Sequence, residues 1–186
     1  MANVNEISKE VILRLSNEIY LVTDFQHVNP GKGAAFVRTK MKNIKSGKTM
    51  EMTFRSNETV EIVEVERRKM RYLYRNGDLY SFMDNTSYEQ MEIGQAILEG
   101  KKEFLKEGIE VNVIIYQDAP VSVELPRKIT YKVVEAPPGV KGDTASGNVT
   151  KEVVLDNGLK IRVPLFIKEG EEVIVNSETG EYVERA

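Results

Sequence analysis

The strongest constraint on this chain is that a part of it occurs twice. Residues 104–113 read FLKEGIEVNV and residues 166–175 read FIKEGEEVIV, identical at seven of ten positions with an offset of 62 residues. Self-similarity at such a period marks repeated structural units, because each copy must feed an equivalent element into an equivalent place. In both copies a Lys-Glu-Gly turn leads into a valine-rich run, the composition of a strand. A five-stranded barrel of the OB type fits about 60 residues with several hairpins and one interrupting helix. The second and third segments of the chain therefore read as copies of one small β architecture.

The segment before them is β-rich in a different way. EIYLVTDF and AAFVRTKM are full of β-branched and aromatic residues, and the second alternates Val37, Thr39 and Met41 with Arg38, Lys40 and Lys42. That alternation puts three cations on one strand face. Between the two runs, Pro30 fixes its φ and Gly31 and Gly33 are free to take unusual backbone angles, so the pair reads as a β-hairpin with Lys32 at its tip. Further turns at Ser46–Lys48 and Arg55–Glu58 suggest a small barrel that ends near the charged run EVERRK. The expected domains are residues 1–64, 65–126 and 127–186, with Pro126 at the second boundary. In the central segment Asn76-Gly77 gives a two-residue hairpin signal. Ile97, Leu98, Lys101, Lys102 and Leu105 have the spacing of a short helix within residues 92–108, despite Gly100.

Composition removes many functions. Cysteine and tryptophan are absent and there is one histidine, which excludes disulfides, thiolate nucleophiles, Cys-containing zinc sites and clusters of imidazole ligands. No run approaches the roughly 18 apolar residues of a membrane span, and MANVNEISKE has no basic stretch followed by an apolar one. A cytoplasmic protein is expected. The net charge of −3 is unevenly spread: residues 27–55 carry seven basic residues and one acidic residue, a net +6 that leaves −9 on the remainder. A local basic region on an acidic background suits a defined polyanion contact, and equally a solvated strand face.

Specific chemistries fail on spacing. A Walker loop needs a glycine five positions before its Gly-Lys pair and a helix after it, whereas Gln26 occupies that position and a strand follows. His27 lacks a nucleophile to serve, and Asp84, Glu89 and Glu92 are more simply solvated carboxylates than a metal site. Lys32 leaves three readings open. It could be a wet hairpin tip that blocks edge pairing, a slender cation reaching into an anionic cavity, or an amine presented to a modifying enzyme. The flanking glycines favour the last two without separating them.

At this point the chain resembles bacterial elongation factor P. The resemblance runs through FQHVNPGKGAAFVRTKMKN and SGKTMEMTFRSNE, then YLYRNGDLYSFMDNTSYEQ, then GVKGDTASG, VPLFIKEGEEV and TGEYVERA. It implies an all-β chain of three small barrels, a KOW/SH3-like domain followed by two OB domains, arranged in an L. It also implies a monomeric, non-enzymatic factor without a cofactor, which enters the ribosome between the P and E sites and relieves stalls at consecutive prolines. Pro30, Gly31, Lys32 and Gly33 would form the loop that follows the peptidyl-tRNA toward the peptidyl-transferase centre. Gly142, Asp143 and Thr144 match the motif associated with mRNA in the E-site codon region, and Tyr182 and Arg185 match the C-terminal RNA-contacting pair. Arg38, Lys40 and Lys42 are expected to contact the RNA backbone on the basis of their charge and alternation.

Family members carry β-lysine, another extension or nothing on the loop lysine, so Lys32 is a candidate for covalent modification by a partner enzyme. Lysine at this position excludes only the arginine rhamnosylation of other branches. Asn29 stands where a basic residue is frequent, which bears on recognition by such an enzyme. Val153, two residues after Lys151, replaces a usual alanine and touches no functional residue. Two other readings compete. A general single-strand nucleic-acid binder would use Tyr72, Tyr74, Tyr80 and Phe82 as a stacking platform, and a paralogue would share the fold while acting elsewhere on the ribosome.

Overall fold

In the computed structural model, residues 2–31, 33–138 and 149–186 are described. They form three antiparallel sheets. The first contains β1 (Ala2–Asn3), β2 (Ile12–Leu15), β3 (Glu18–Val28), β4 (Phe36–Asn43), β5 (Thr49–Arg55) and β6 (Thr59–Val63), in the order β1-β6-β2-β3-β4-β5. Alternation decides its packing. Val37, Thr39, Met41 and Asn43 of β4 are buried while Arg38 and Lys40 are exposed, as a sheet with one dry face requires. Val4, Ile7, Leu13, Val22, Val37, Met41, Phe54 and Val60 make up the core beneath it. The β2–β3 connection is a two-residue turn in which Ser16 and Asn17 both take positive φ, 47° and 69°. This matches the type I′ geometry that fits strand twist, built here without glycine.

The second sheet contains β7 (Glu66–Asn76), β8 (Leu79–Asp84), β9 (Gln90–Gly94), β10 (Glu110–Tyr116) and β11 (Ala119–Glu124), in the order β11-β10-β7-β8-β9. The third contains β12 (Lys128–Glu135), β13 (Thr150–Leu155), β14 (Lys160–Pro164), β15 (Glu172–Asn176) and β16 (Tyr182–Arg185), in the order β14-β13-β12-β15-β16. Numbered within each sheet, both orders are 3-2-1-4-5. The duplication seen in the sequence is thus a duplication of topology.

It extends to individual hydrogen bonds. Gly108 and Gly170 occupy the same turn at φ 82° and 86°, a region open to glycine at little cost. Gly108 N donates to Tyr72 O at 2.9 Å and Gly170 N to Val133 O at 2.8 Å; in return Tyr72 N donates to Ile109 O and Val133 N to Glu171 O. Each first strand also carries a bulge at the matching place, between Tyr72 and Tyr74 and between Val133 and Glu135. The Lys-Glu-Gly corner is what locks the fourth strand of each sheet onto the first.

Two local expectations are corrected. The apolar spacing within residues 92–108 does not produce an α-helix. The segment runs from β9 through turns into a single 3-10 turn at Lys102–Phe104. Most of its hydrogen bonds span three residues, as Ile97 N to Gly94 O and Leu98 N to Gln95 O, and Gly100 takes φ 72°. About 12 residues are needed before a helix supports itself, and Gly100 divides a shorter stretch. Leu98, Phe104 and Leu105 are buried nonetheless. The β7–β8 hairpin turns one residue later than expected. Asn76 pairs with Leu79, leaving Gly77 and Asp78 as the loop. Only Gly77 of the two has positive φ, 61°, the pattern of a type II′ turn with glycine first.

The chain divides into two compact units, residues 1–68 with 113–124, and residues 69–112 with 125–186. In the first, Ile12, Leu21 and Ile114 form a second apolar cluster with Ile19, Ile44, Val63, Val65, Tyr116 and Val121 around them. In the second, the segment around Phe104 is fixed to β12 and to the turn between β13 and β14. Tyr131 Oη donates to Phe104 O at 2.5 Å, Asn157 Nδ2 to Glu103 O at 2.8 Å, and Lys106 Nζ to Thr130 O at 2.6 Å.

Candidate nucleic-acid interface

The loop that raised the question of function connects two strands that pair at eight positions. β3 and β4 are in register from Tyr20↔Asn43 to Val28↔Phe36, with a bulge between Val22 and Asp24. Residues 29–35 lie beyond the last pair. At the end of β3, Phe25 and His27 meet edge to face, with ring centroids 5.4 Å apart and planes at 86°. This gives His27 a packing role. Pro30, Gly31 and Gly33 are exposed, and Lys32 lies outside the described residues.

The two glycines have different reasons to be there. Gly33 has φ +118°, where a side chain brings strain of about 1–3 kcal/mol. A Cβ on Gly31 would meet nothing within 4 Å, and its φ is not in the glycine-favouring region. Nothing among the described residues demands a glycine at Gly31. Gly31→Ala should therefore leave thermal stability within about 0.5 kcal/mol of the parent, whereas Gly33→Ala should redirect the loop. If Gly31→Ala nevertheless loses activity, the missing Cβ is space occupied by a partner. Parent-like activity would show that no partner backbone comes that close.

Arg38, Lys40 and Lys42 share the outer face of β4, as alternation requires. Their setting is less basic than the sequence count suggests. Register places Glu51 of β5 and Asp24 of β3 on either side of Lys40, with Arg55 at the end of β5 on the same face. Arg38 Nε lies 3.4 Å from Glu51 Oε1, and Lys9 Nζ 3.7 Å from Asp24 Oδ1. Exposed pairs of this kind contribute about 0–1 kcal/mol, so a phosphate can displace either carboxylate at small cost. The face is a stripe of four cations interrupted by two acids.

Tyr182 and Arg185 are three residues apart on β16, which in a regular strand would put them on opposite faces. The register shift between Ile174 and Val175 changes that: Tyr182 pairs with Val175 and Arg185 with Val173. Val173 and Val175 point the same way, so the bulge returns both residues to one side. Arg185 Nη1 lies 3.5 Å from Glu171 Oε1.

Three family models account for this succession of modules. The elongation factor P KOW-like domain matches residues 3–60, the elongation factor P OB domain residues 65–123, and the elongation factor P C-terminal model residues 129–185. The chain belongs to the elongation factor P family. It is accordingly a translation elongation factor, built from a KOW-like domain and two OB-type domains. Among solved structures it is similar to a eukaryotic translation initiation factor 5A from Methanococcus jannaschii, with 25% identity over 67% of this chain and 90% of that one and a TM-score of 0.40. It is also similar to a translation initiation factor eif-5a family protein from Naegleria fowleri, with 18% identity over 66% of this chain and 96% of that one and a TM-score of 0.34.

For an elongation factor P, other sequence candidates sort clearly. Gly142, Asp143 and Thr144 lie outside the described residues. Tyr72, Tyr80 and Phe82 are buried, packed on one another with centroids 5.4–6.1 Å apart. Tyr74 alone of the proposed platform is exposed. Asp84 is buried and accepts from Thr86 N at 2.7 Å and Ser87 N at 3.0 Å, so its carboxylate shapes a turn. No helix among the described residues is long and apolar enough to cross a membrane. Lys160 and Arg162 escaped the sequence reading, although their alternation with Ile161 and Val163 was a legible signal.

Proposed function

We propose that this elongation factor P acts on ribosomes stalled at consecutive prolines, from a position between the P and E sites. The observation that carries this reading is the β3–β4 hairpin, a long paired arm that ends in Pro30-Gly31-Lys32-Gly33 with exposed, side-chain-poor flanks. Such an arm can place one amine in a narrow space lined by RNA. Proline is a rigid, poor substrate for peptide-bond formation. Holding the acceptor end of the peptidyl-tRNA and the nascent chain in a reactive geometry lowers the entropic part of the barrier. Bond-making stays with the ribosome, and the chain contributes position.

The cationic stripe of Arg38, Lys40 and Lys42 would follow the tRNA backbone, where contacts fix register without reading sequence. Gly142, Asp143 and Thr144 would lie near mRNA in the E-site region, and Tyr182 and Arg185 against RNA at the other end. Lys32 would also be the acceptor for a modifying enzyme. Burial of Tyr72, Tyr80 and Phe82 weighs against a general single-strand binder, which needs those rings free for stacking.

Reconstituted translation of a reporter with three consecutive prolines, alongside a proline-free control, tests the proposal. The protein should speed only the first template. Equal effects on both templates, or none on either, would favour a paralogue with a different ribosomal role.

A further inference from the structure

The two edges of the third sheet, β14 and β16, approach each other and leave a cleft of about 650 Å³. That volume lies in the range of small-ligand sites. Its walls include Thr150, Lys160, Ile161, Arg162, Glu181 and Tyr182. They come from the second and third strands of an OB sheet, from the connection between its fourth and fifth, and from the first residue of the fifth. This is the part of the OB fold that takes up oligonucleotides in unrelated proteins.

One wall of the cleft is cationic. Arg127, Lys128 and Arg185 each face a carboxylate, at 3.8, 2.9 and 3.5 Å. Lys160 and Arg162 stand side by side on the exposed face of β14, and neither has an ion-pair partner among the described residues. Glu152, which pairs in register with Arg162, and Glu181 in the opposite wall are the carboxylates near them. Lys160, Arg162 and Tyr182 line the same cleft, two cations and one aromatic ring. Arginine adds planar, bidentate recognition of phosphate oxygens.

We infer that this cleft binds one nucleotide of single-stranded RNA, its base against Tyr182 and its flanking phosphates on Lys160 and Arg162. The inference rests on the translation-factor reading and extends the contact of Tyr182 to residues that reading did not include. Stacking on a tyrosine tolerates any base, so the site would hold RNA without selecting its sequence.

The test is binding of the full chain to ribosomes stalled on the three-proline template, measured across a series of monovalent salt concentrations. Lys160→Ala/Arg162→Ala should bind about tenfold more weakly. Its plot of log affinity against log salt should be shallower by about 1.4, the loss of two single-strand phosphate contacts. Tyr182→Leu should lose roughly tenfold in affinity with an unchanged slope. Because Lys160 and Arg162 are exposed, the double variant is expected to melt like the parent, which a thermal scan verifies. A benzophenone amino acid placed at Lys160 should cross-link to RNA.

A folded double variant with parental affinity and slope overturns the inference, as does a cross-link to ribosomal protein. These results would leave the loop mechanism intact if the parent still rescued the proline reporter. Failure of the parent to bind stalled ribosomes would instead remove the translation-factor reading and this inference together.

Discussion

Lys32→Ala lowers rescue of the three-proline reporter by roughly 10- to 100-fold, the loss expected when a positioning contact near the reacting atoms is removed. Proline-free synthesis and thermal stability stay at the parental level, since the residue falls in the connection beyond the last registered pair of β3 and β4. Lys32→Arg divides the effect further. Arginine keeps the positive charge but presents a guanidinium in place of a primary amine. Rescue by Lys32→Arg would assign the effect to charge; loss would assign it to the shape or chemistry of the amine, and the mass of the Lys32 peptide would then distinguish a bare lysine from an extended one. Full rescue by Lys32→Ala would exclude the loop mechanism.

The largest stability effect is expected at Tyr131, in the second compact unit. Its ring is fully buried on β12, its hydroxyl donates to Phe104 O, and Lys106 Nζ lies 5.4 Å from its ring centroid. Tyr131→Ala should cost about 3–5 kcal/mol through the cavity it leaves. Tyr131→Phe keeps the ring but leaves a carbonyl without its donor, about 1–3 kcal/mol. The hydroxyl also gives a pH signature. Burial, with a smaller contribution from the Asp156 carboxylate, raises the phenol above its ordinary value of 10.0. Above that pH the unfolded chain loses the proton while the folded chain keeps it, so stability falls as pH rises. The contribution is complete below pH 10 and declines above it. Tyr72 is raised in the same direction, first by burial, so the diagnostic quantity is the difference between parent and Tyr131→Phe in denaturant melts above pH 10. Parallel curves for the two proteins would place the titrating group elsewhere.

Much of the fold was legible because strand alternation and turn chemistry are local. The FLKEG and FIKEG repeat predicted an equivalent strand in two segments, and the same corner, bulge and hydrogen bonds occur in both. What the repeat could not show is environment. Phe104 and Phe166 hold the same place in it, yet Phe104 is buried and Phe166 is 62% exposed. The difference lies in what covers each corner: Gly180 approaches the Phe104 ring, with a Cβ position 3.7 Å from Cζ. Periodicity misled at residues 92–108, where helical spacing buried the right side chains through turns instead. For the candidate site, the face of Arg38, Lys40 and Lys42 was readable from β4 alone. The carboxylates of Asp24 and Glu51 that temper it were not, since they arrive by pairing from two other strands. The common side of Tyr182 and Arg185 depends on a bulge that residue spacing cannot reveal.

The hairpin arm has a mechanical consequence. Val37, which pairs with His27 one step before the last registered pair, is buried beside Phe54 in the core, so the two strands are held almost to their end. The aim of the loop is set there: a change of side-chain volume at Val37 or Phe54 tilts the tip in a protein that remains folded.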